Sequence, residues 1–136
     1  MQIRVNRKSI GIKKCIDPFI RLLIAFARKI PVDKLGECKN AVDWIKKHWI
    51  GPGQMYSYTG GLFKKGDFCF LKNRPDATCE YHTVAILKLP SAYYIVDAAI
   101  QQYLPNIKLQ IRKVTPHEVC LIGTLQKMYG GRWYAF

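Results

Sequence analysis

Three side chains have the types and the order that nucleophilic thiol chemistry needs: Cys38, His82 and Asp97. A cysteine in the first turns of a helix feels the positive end of the helix dipole, which lowers its pKa and favours the thiolate. A histidine beside that thiolate stabilises it as an ion pair and then supplies the proton that a leaving group requires. A carboxylate on the neighbouring antiparallel strand can accept a hydrogen bond from the far ring nitrogen and so orient the imidazole. Taken alone, Cys38 shares an apolar helix stripe with Leu35, Val42 and Ile45 and reads as a core thiol. Followed by a histidine at the head of a strand and an aspartate near the end of its hairpin partner, it reads as a nucleophile with its base and its orienting acid.

The elements that must position these residues are visible in the spacing. Asp17-Pro18 starts a helix, because the aspartate caps the first amides and proline at the first helical position loses nothing it needed. Phe19, Leu22, Leu23, Phe26, Ala27 and Ile30 form its apolar face, and Pro31 stops it. A second helix is expected from Asp33 to the Gly51-Pro52-Gly53 stop, with Leu35, Cys38, Val42, Ile45 and Trp49 on one stripe. Strand-like segments come next over 55–59 and, after a break at Gly60-Gly61, over 62–71, with a turn at 64–67 and a loop at 73–76.

Segments 81–89 and 93–98 make a hairpin through Pro90-Ser91-Ala92. With that loop centred on Ser91, the residue opposite His82 falls near 100. Asp97 is then a diagonal neighbour that needs a bulge or a longer loop to reach the ring. Segment 107–114 alternates as a strand, Thr115-Pro116-His117-Glu118 fits a capping box for a short helix or turn, and 129–134 turns into a terminal aromatic strand. Residues 1–16 read as a basic arm or an edge strand. The expectation is one α+β domain over 1–136, with N-terminal helices packed on an antiparallel sheet.

Composition bounds the alternatives. With 136 residues, 49% hydrophobic and 23% charged, the chain has enough apolar surface to order itself. The net charge of +13 predicts attraction to anionic partners. The longest apolar stretch, 18–27, carries Arg21 and falls short of the roughly 20 residues that span a bilayer. The five cysteines are odd in number and unclustered, which argues against a zinc site or a disulfide framework and for a reducing compartment. No metal or cofactor is expected. Cys15, Cys69, Cys79 and Cys120 read as packing residues, and Cys79 is a poor rival nucleophile because it lies along the same strand as His82. His48 suits a helix C-terminus, His117 the capping box, and one of Trp44, Trp49 and Trp133 the cover of a cleft.

Gly36-Glu37-Cys38-Lys39-Asn40-Ala41-Val42, Tyr81-His82-Thr83-Val84-Ala85-Ile86-Leu87 and Tyr94-Ile95-Val96-Asp97-Ala98-Ala99-Ile100-Gln101-Gln102-Tyr103 succeed one another in a familiar order. Over roughly 33–105 the chain resembles the papain-like and transglutaminase-like thiol enzymes, including papain-fold bacterial toxins, bacteriocin-leader peptidases and related deamidases. It departs from them at Ala98, where many relatives have proline, and no glutamine stands a few residues before Cys38. The resemblance implies a papain-like or transglutaminase-like core and a Cys38, His82, Asp97 triad. It implies a glutamine deamidase, cysteine protease or transglutaminase acting on a protein or peptide without a cofactor, in the cytoplasm or delivered into a target cell's cytosol as a toxin or effector. Eight basic residues among the first thirty, against Asp17 alone, suit an acidic inhibitor or immunity protein. Two rivals remain open. One is a basic nucleic-acid-binding module or small nuclease stacking bases on Tyr56, Tyr58, Phe63 and Trp133; the other is an inactive papain-like domain that acts by binding.

Overall fold

The computed structural model of the chain describes residues 2–6, 17–35, 38–62, 80–100 and 107–135. Helix α1 (Pro18–Ala27) begins as its sequence requires: the Asp17 carboxylate accepts the Phe19 N–H at 2.9 Å and the Ile20 N–H at 3.4 Å. Its second oxygen accepts the Tyr94 hydroxyl at 2.7 Å and lies 3.2 Å from the Lys113 ammonium. Burial pushes the Asp17 carboxyl up, but those hydrogen bonds outweigh it and hold the group below the ordinary carboxylate range. The helix gives way before Pro31 to a tighter turn, in which Lys29 and Ile30 N–H groups bond the carbonyls three residues back.

The second helix begins later than its apolar stripe implies. After Pro31 the chain makes a separate 3-10 turn, Val32–Lys34, closed by Lys34 N–H to Pro31 and Leu35 N–H to Val32. Helix α2 is described over Cys38–His48, and Val32–Lys34 belong to the turn and not to the helix. Pro31 and Gly36, both poor helix formers, bracket the turn in sequence. Cys38 is the first described residue of that helix.

Among the described residues the sheet has six strands: β1 (Gln2–Asn6), β2 (Gln54–Leu62), β3 (Glu80–Lys88), β4 (Tyr93–Asp97), β5 (Ile107–Val114) and β6 (Trp133–Ala135). Their order is β1-β5-β4-β3-β2-β6, and every neighbouring pair is antiparallel. Strand β1 lies at one edge of the sheet, paired with β5. Residues 7–16, the turn at 64–67, the loop at 73–76 and Cys15, Cys69 and Cys79 lie outside the described residues.

Two expectations fail for identifiable reasons. Strand β2 does not break at Gly60-Gly61, because Gly60 is paired on both sides, with His82 of β3 and Trp133 of β6. The glycine serves close approach: a Cβ there would sit 2.4 Å from the Trp133 ring and 2.6 Å from the Arg132 carbonyl oxygen. The capping box does not form either. The cap of helix α3 (Glu118–Tyr129) is His117, whose Nδ1 accepts the Val119 N–H at 3.2 Å. Glu118 is drawn off to accept the Tyr58 hydroxyl at 3.1 Å.

Helix α3 runs for 12 residues, so the helices do not all precede the sheet. Helices α1 and α2 cover one face through Ile20, Leu23, Val42 and Ile45 against Ala85, Leu87, Tyr94 and Ile111. Helix α3 covers the other through Leu121, Leu125 and Met128 against Tyr58, Val84, Ile86 and Ile95. Each fully buried Leu or Ile contributes roughly 1.5–3 kcal/mol. The architecture is α+β with an antiparallel sheet buried on both faces. Gly60→Ala is expected to displace Trp133 and lower stability by about 1–3 kcal/mol, read as a lower urea midpoint at unchanged slope.

Candidate active site

The site is assembled by the register of one hairpin. Strands β3 and β4 turn at Pro90-Ser91, where the Leu89 N–H donates to the Ala92 carbonyl at 3.0 Å, and the pairs run from Lys88 opposite Tyr93 to Ala85 opposite Val96. Continued by one pair, this sets Val84 across from Asp97, with His82 the next residue on the same face. A hairpin centred on Ser91 would have put His82 and Asp97 on opposite faces, since a slip of one residue inverts every side chain. The tighter turn makes the diagonal contact without a bulge. His82 Nε2 and Asp97 Oδ2 are 2.7 Å apart, with the two side chains 0% and 1% exposed.

Strand β4 ends at Asp97, and the carboxylate organises the bend beyond it. Its Oδ1 accepts the Ala99 N–H at 3.0 Å, and Oδ2 also accepts the Tyr129 hydroxyl at 2.8 Å. Alternation along the ladder aims the Thr83 N–H toward β4, which has already ended, and the Cys38 thiol lies near enough for that N–H to favour its charged form. The imidazole packs against Tyr129 and Trp133 on the α3 side, with ring centroids 5.4 Å and 6.4 Å away. Cys38 comes from the helix layer on the other face, half-buried against the α1 and α2 core. Thiol and imidazole meet where β4 stops.

The electrostatics of the pair run both ways. Burial raises the Cys38 pKa, yet the hydrogen bond and charge of His82, helped by the Thr83 N–H, prevail and lower it, against a small opposing push from Asp97. Burial depresses His82, but the Asp97 charge and hydrogen bond, followed by Cys38, raise it to about 9. Each group favours the charged form of the other, so their titrations belong to the pair.

All three residues singled out by sequence, Cys38, His82 and Asp97, come together. Sequence reading missed Tyr129, whose only signal was a tyrosine at the end of an apolar helical stripe, and the Thr83 amide, which leaves no trace in a side-chain pattern. Trp133 meets the His82 ring edge-on, while Trp44 and Trp49 pack on Phe26. His48 donates from Nδ1 to the Trp44 carbonyl at 2.9 Å, a helix-end role. Cys120 is exposed on α3 and not packed, because it projects away from the Leu121 and Leu125 stripe. Among the described residues, no three His, Cys, Asp or Glu side chains form a group that would hold a metal ion.

Comparisons with protein-family models, with curated proteins and with solved structures yield no match for this chain. Iodoacetamide labelling should modify Cys38 at a pH below that of an ordinary thiol, and His82→Ala should move the onset upward. Peptide mapping across pH reads both, and Cys38 inert until the protein unfolds would defeat the pairing.

Proposed function

We propose that this protein is a thiol hydrolase or transferase acting on amide bonds of a protein or peptide substrate, on a papain-like or transglutaminase-like core. The observation that carries the reading is the buried 2.7 Å contact between His82 and Asp97, with Cys38 near enough for its charge to favour the protonated imidazole.

In this mechanism the Cys38 thiolate attacks the carbonyl carbon. The C–N bond breaks as the His82 imidazolium gives its proton to the departing nitrogen, leaving a thioester on Cys38. Neutral His82 then takes a proton from water, the hydroxide oxygen bonds to the thioester carbon, and the S–C bond breaks to restore thiolate and imidazolium. A glutamine side chain loses ammonia by this route and a backbone amide loses an amine. A transglutaminase replaces the water with a primary amine. Asp97 holds the ring and stabilises its charged form.

The +13 charge supports an acidic protein as substrate, or as inhibitor or immunity protein if the chain is a toxin or effector. A free, half-buried Cys38 thiol suits work in a cytosol, whether the producing cell's or a target's. Among the described residues no helix is long and apolar enough to cross a membrane. The nucleic-acid rival loses two of its stacking surfaces, since Tyr58 and Trp133 are 0% and 3% exposed.

The test is ammonia release and mass-spectrometric mapping on an unfolded glutamine-rich protein, beside Cys38→Ser and Asp97→Ala. Cys38→Ser should abolish product, and Asp97→Ala should cost on the order of 10²–10⁴ in rate. The rate should be bell-shaped, rising as the thiolate forms and falling as His82 loses its proton near pH 9. A folded Cys38→Ser variant with full activity sinks the proposal.

A further inference from the structure

We propose that Tyr129 is a positioning residue of the Cys38, His82 and Asp97 centre, an inference that rests on the thiol-enzyme reading. Tyr129 is the last residue of α3, fully buried, and its hydroxyl donates at 2.8 Å to Asp97 Oδ2, the same oxygen that His82 Nε2 meets at 2.7 Å. A packing role asks only for the ring, which lies against His82 at 5.4 Å and Trp133 at 5.1 Å between centroids. The hydroxyl is given to the carboxylate that the imidazole uses.

The carboxylate turns about a broad, nearly two-fold torsion, so which oxygen faces the imidazole is not set by the aspartate itself. The Ala99 N–H on Oδ1 and the Tyr129 hydroxyl on Oδ2 set it from both sides. The chain around Tyr129 is built to keep that hydroxyl in place. Gly130 ends the helix with its N–H on the Gln126 carbonyl at 2.7 Å, and Gly130 and Gly131 take φ of 78° and 72°, which side chains rarely adopt. That turn brings Trp133 back, its indole N–H on the Gly130 carbonyl at 2.8 Å and its ring edge-on to His82. Helix end, turn and β6 thus hold Tyr129 and Trp133 against the imidazole. Tyr129 acts on the reaction only through Asp97 and His82.

The test is Tyr129→Phe, which keeps the ring and removes the donor, read in three ways. Thermal unfolding should stay within a few degrees of the wild-type midpoint. The His82 ring-proton titration followed by NMR should move down from about 9, and the onset of Cys38 alkylation should move up. On a confirmed amide substrate, kcat should fall about tenfold at nearly constant KM, as expected for a group that acts through the general acid. A Tyr129→Phe protein with wild-type titration and alkylation profiles overturns the inference, while loss of activity in Cys38→Ser would leave the thiol-enzyme reading standing. If Cys38→Ser stays active, that reading falls, and the His82 titration by itself decides the positioning role. Should Tyr129→Phe not fold, the wild-type hydroxyl proton serves instead. A buried donor to Asp97 should exchange slowly and shift as His82 titrates, and a hydroxyl resonance that ignores that titration overturns the proposal.

Discussion

A carboxylate removed from water has to be met by donors, and Asp97 is where this fold meets that demand. Its oxygens accept an imidazole nitrogen from β3, a backbone amide from the bend after β4 and a hydroxyl from the end of α3. Leaving such a charge uncompensated typically costs about 3–5 kcal/mol, so the three elements are held in mutual register by one group. The same demand keeps the imidazole charged. Asp97 is the largest influence raising His82, and the charged His82 is what carries the Cys38 thiol below its ordinary range. Stability and reactivity at this site have one electrostatic origin.

A second constraint is the sheet's burial on both faces. The imidazole belongs to the layer of α3, Tyr129 and Trp133, whereas the thiol stands at the head of α2 in the opposite layer. An unbroken sheet would keep them apart. The early end of β4 removes the barrier and leaves the Thr83 amide, aimed to that side, without a strand to pair with. The other end of α2 is tied to β2 by the Lys46 ammonium on the Ser57 hydroxyl at 3.4 Å. Asp17 couples the start of α1 to Tyr94 of β4 and Lys113 of β5, so the strand that ends in Asp97 is anchored on its other face as well.

Local rules account for much of this. Asp17-Pro18 caps α1 because that chemistry is satisfied within a few residues. Strand β5 covers 107–114 as its alternation requires, since a strand with one apolar pattern tolerates no slip. The rules fail where a distant partner intervenes. Glu118 leaves the capping box for Tyr58, sixty positions away in sequence, and Gly60-Gly61 stays in strand because β3 and β6 grip it from both sides. Helix α2 starts late because a 3-10 turn, whose three-residue bonds compete locally with the helix, takes the residues after Pro31.

Residue order along the chain is enough to supply the three side chains and the kinds of element that carry them. A cysteine near a helix start, a histidine at a strand head and an aspartate at a hairpin's far end are consequences of composition and short-range periodicity. Tertiary structure decided whether they meet. A shift of one residue in the β3–β4 register would have placed His82 and Asp97 on opposite faces, and the choice between registers belongs to the closure of the Pro90-Ser91 turn and to the cores that cover each face. Tyr129 entered the site by the same route. Its hydroxyl finds Asp97 32 positions earlier in the chain, a contact that depends on how α3 crosses the sheet and that no local pattern encodes.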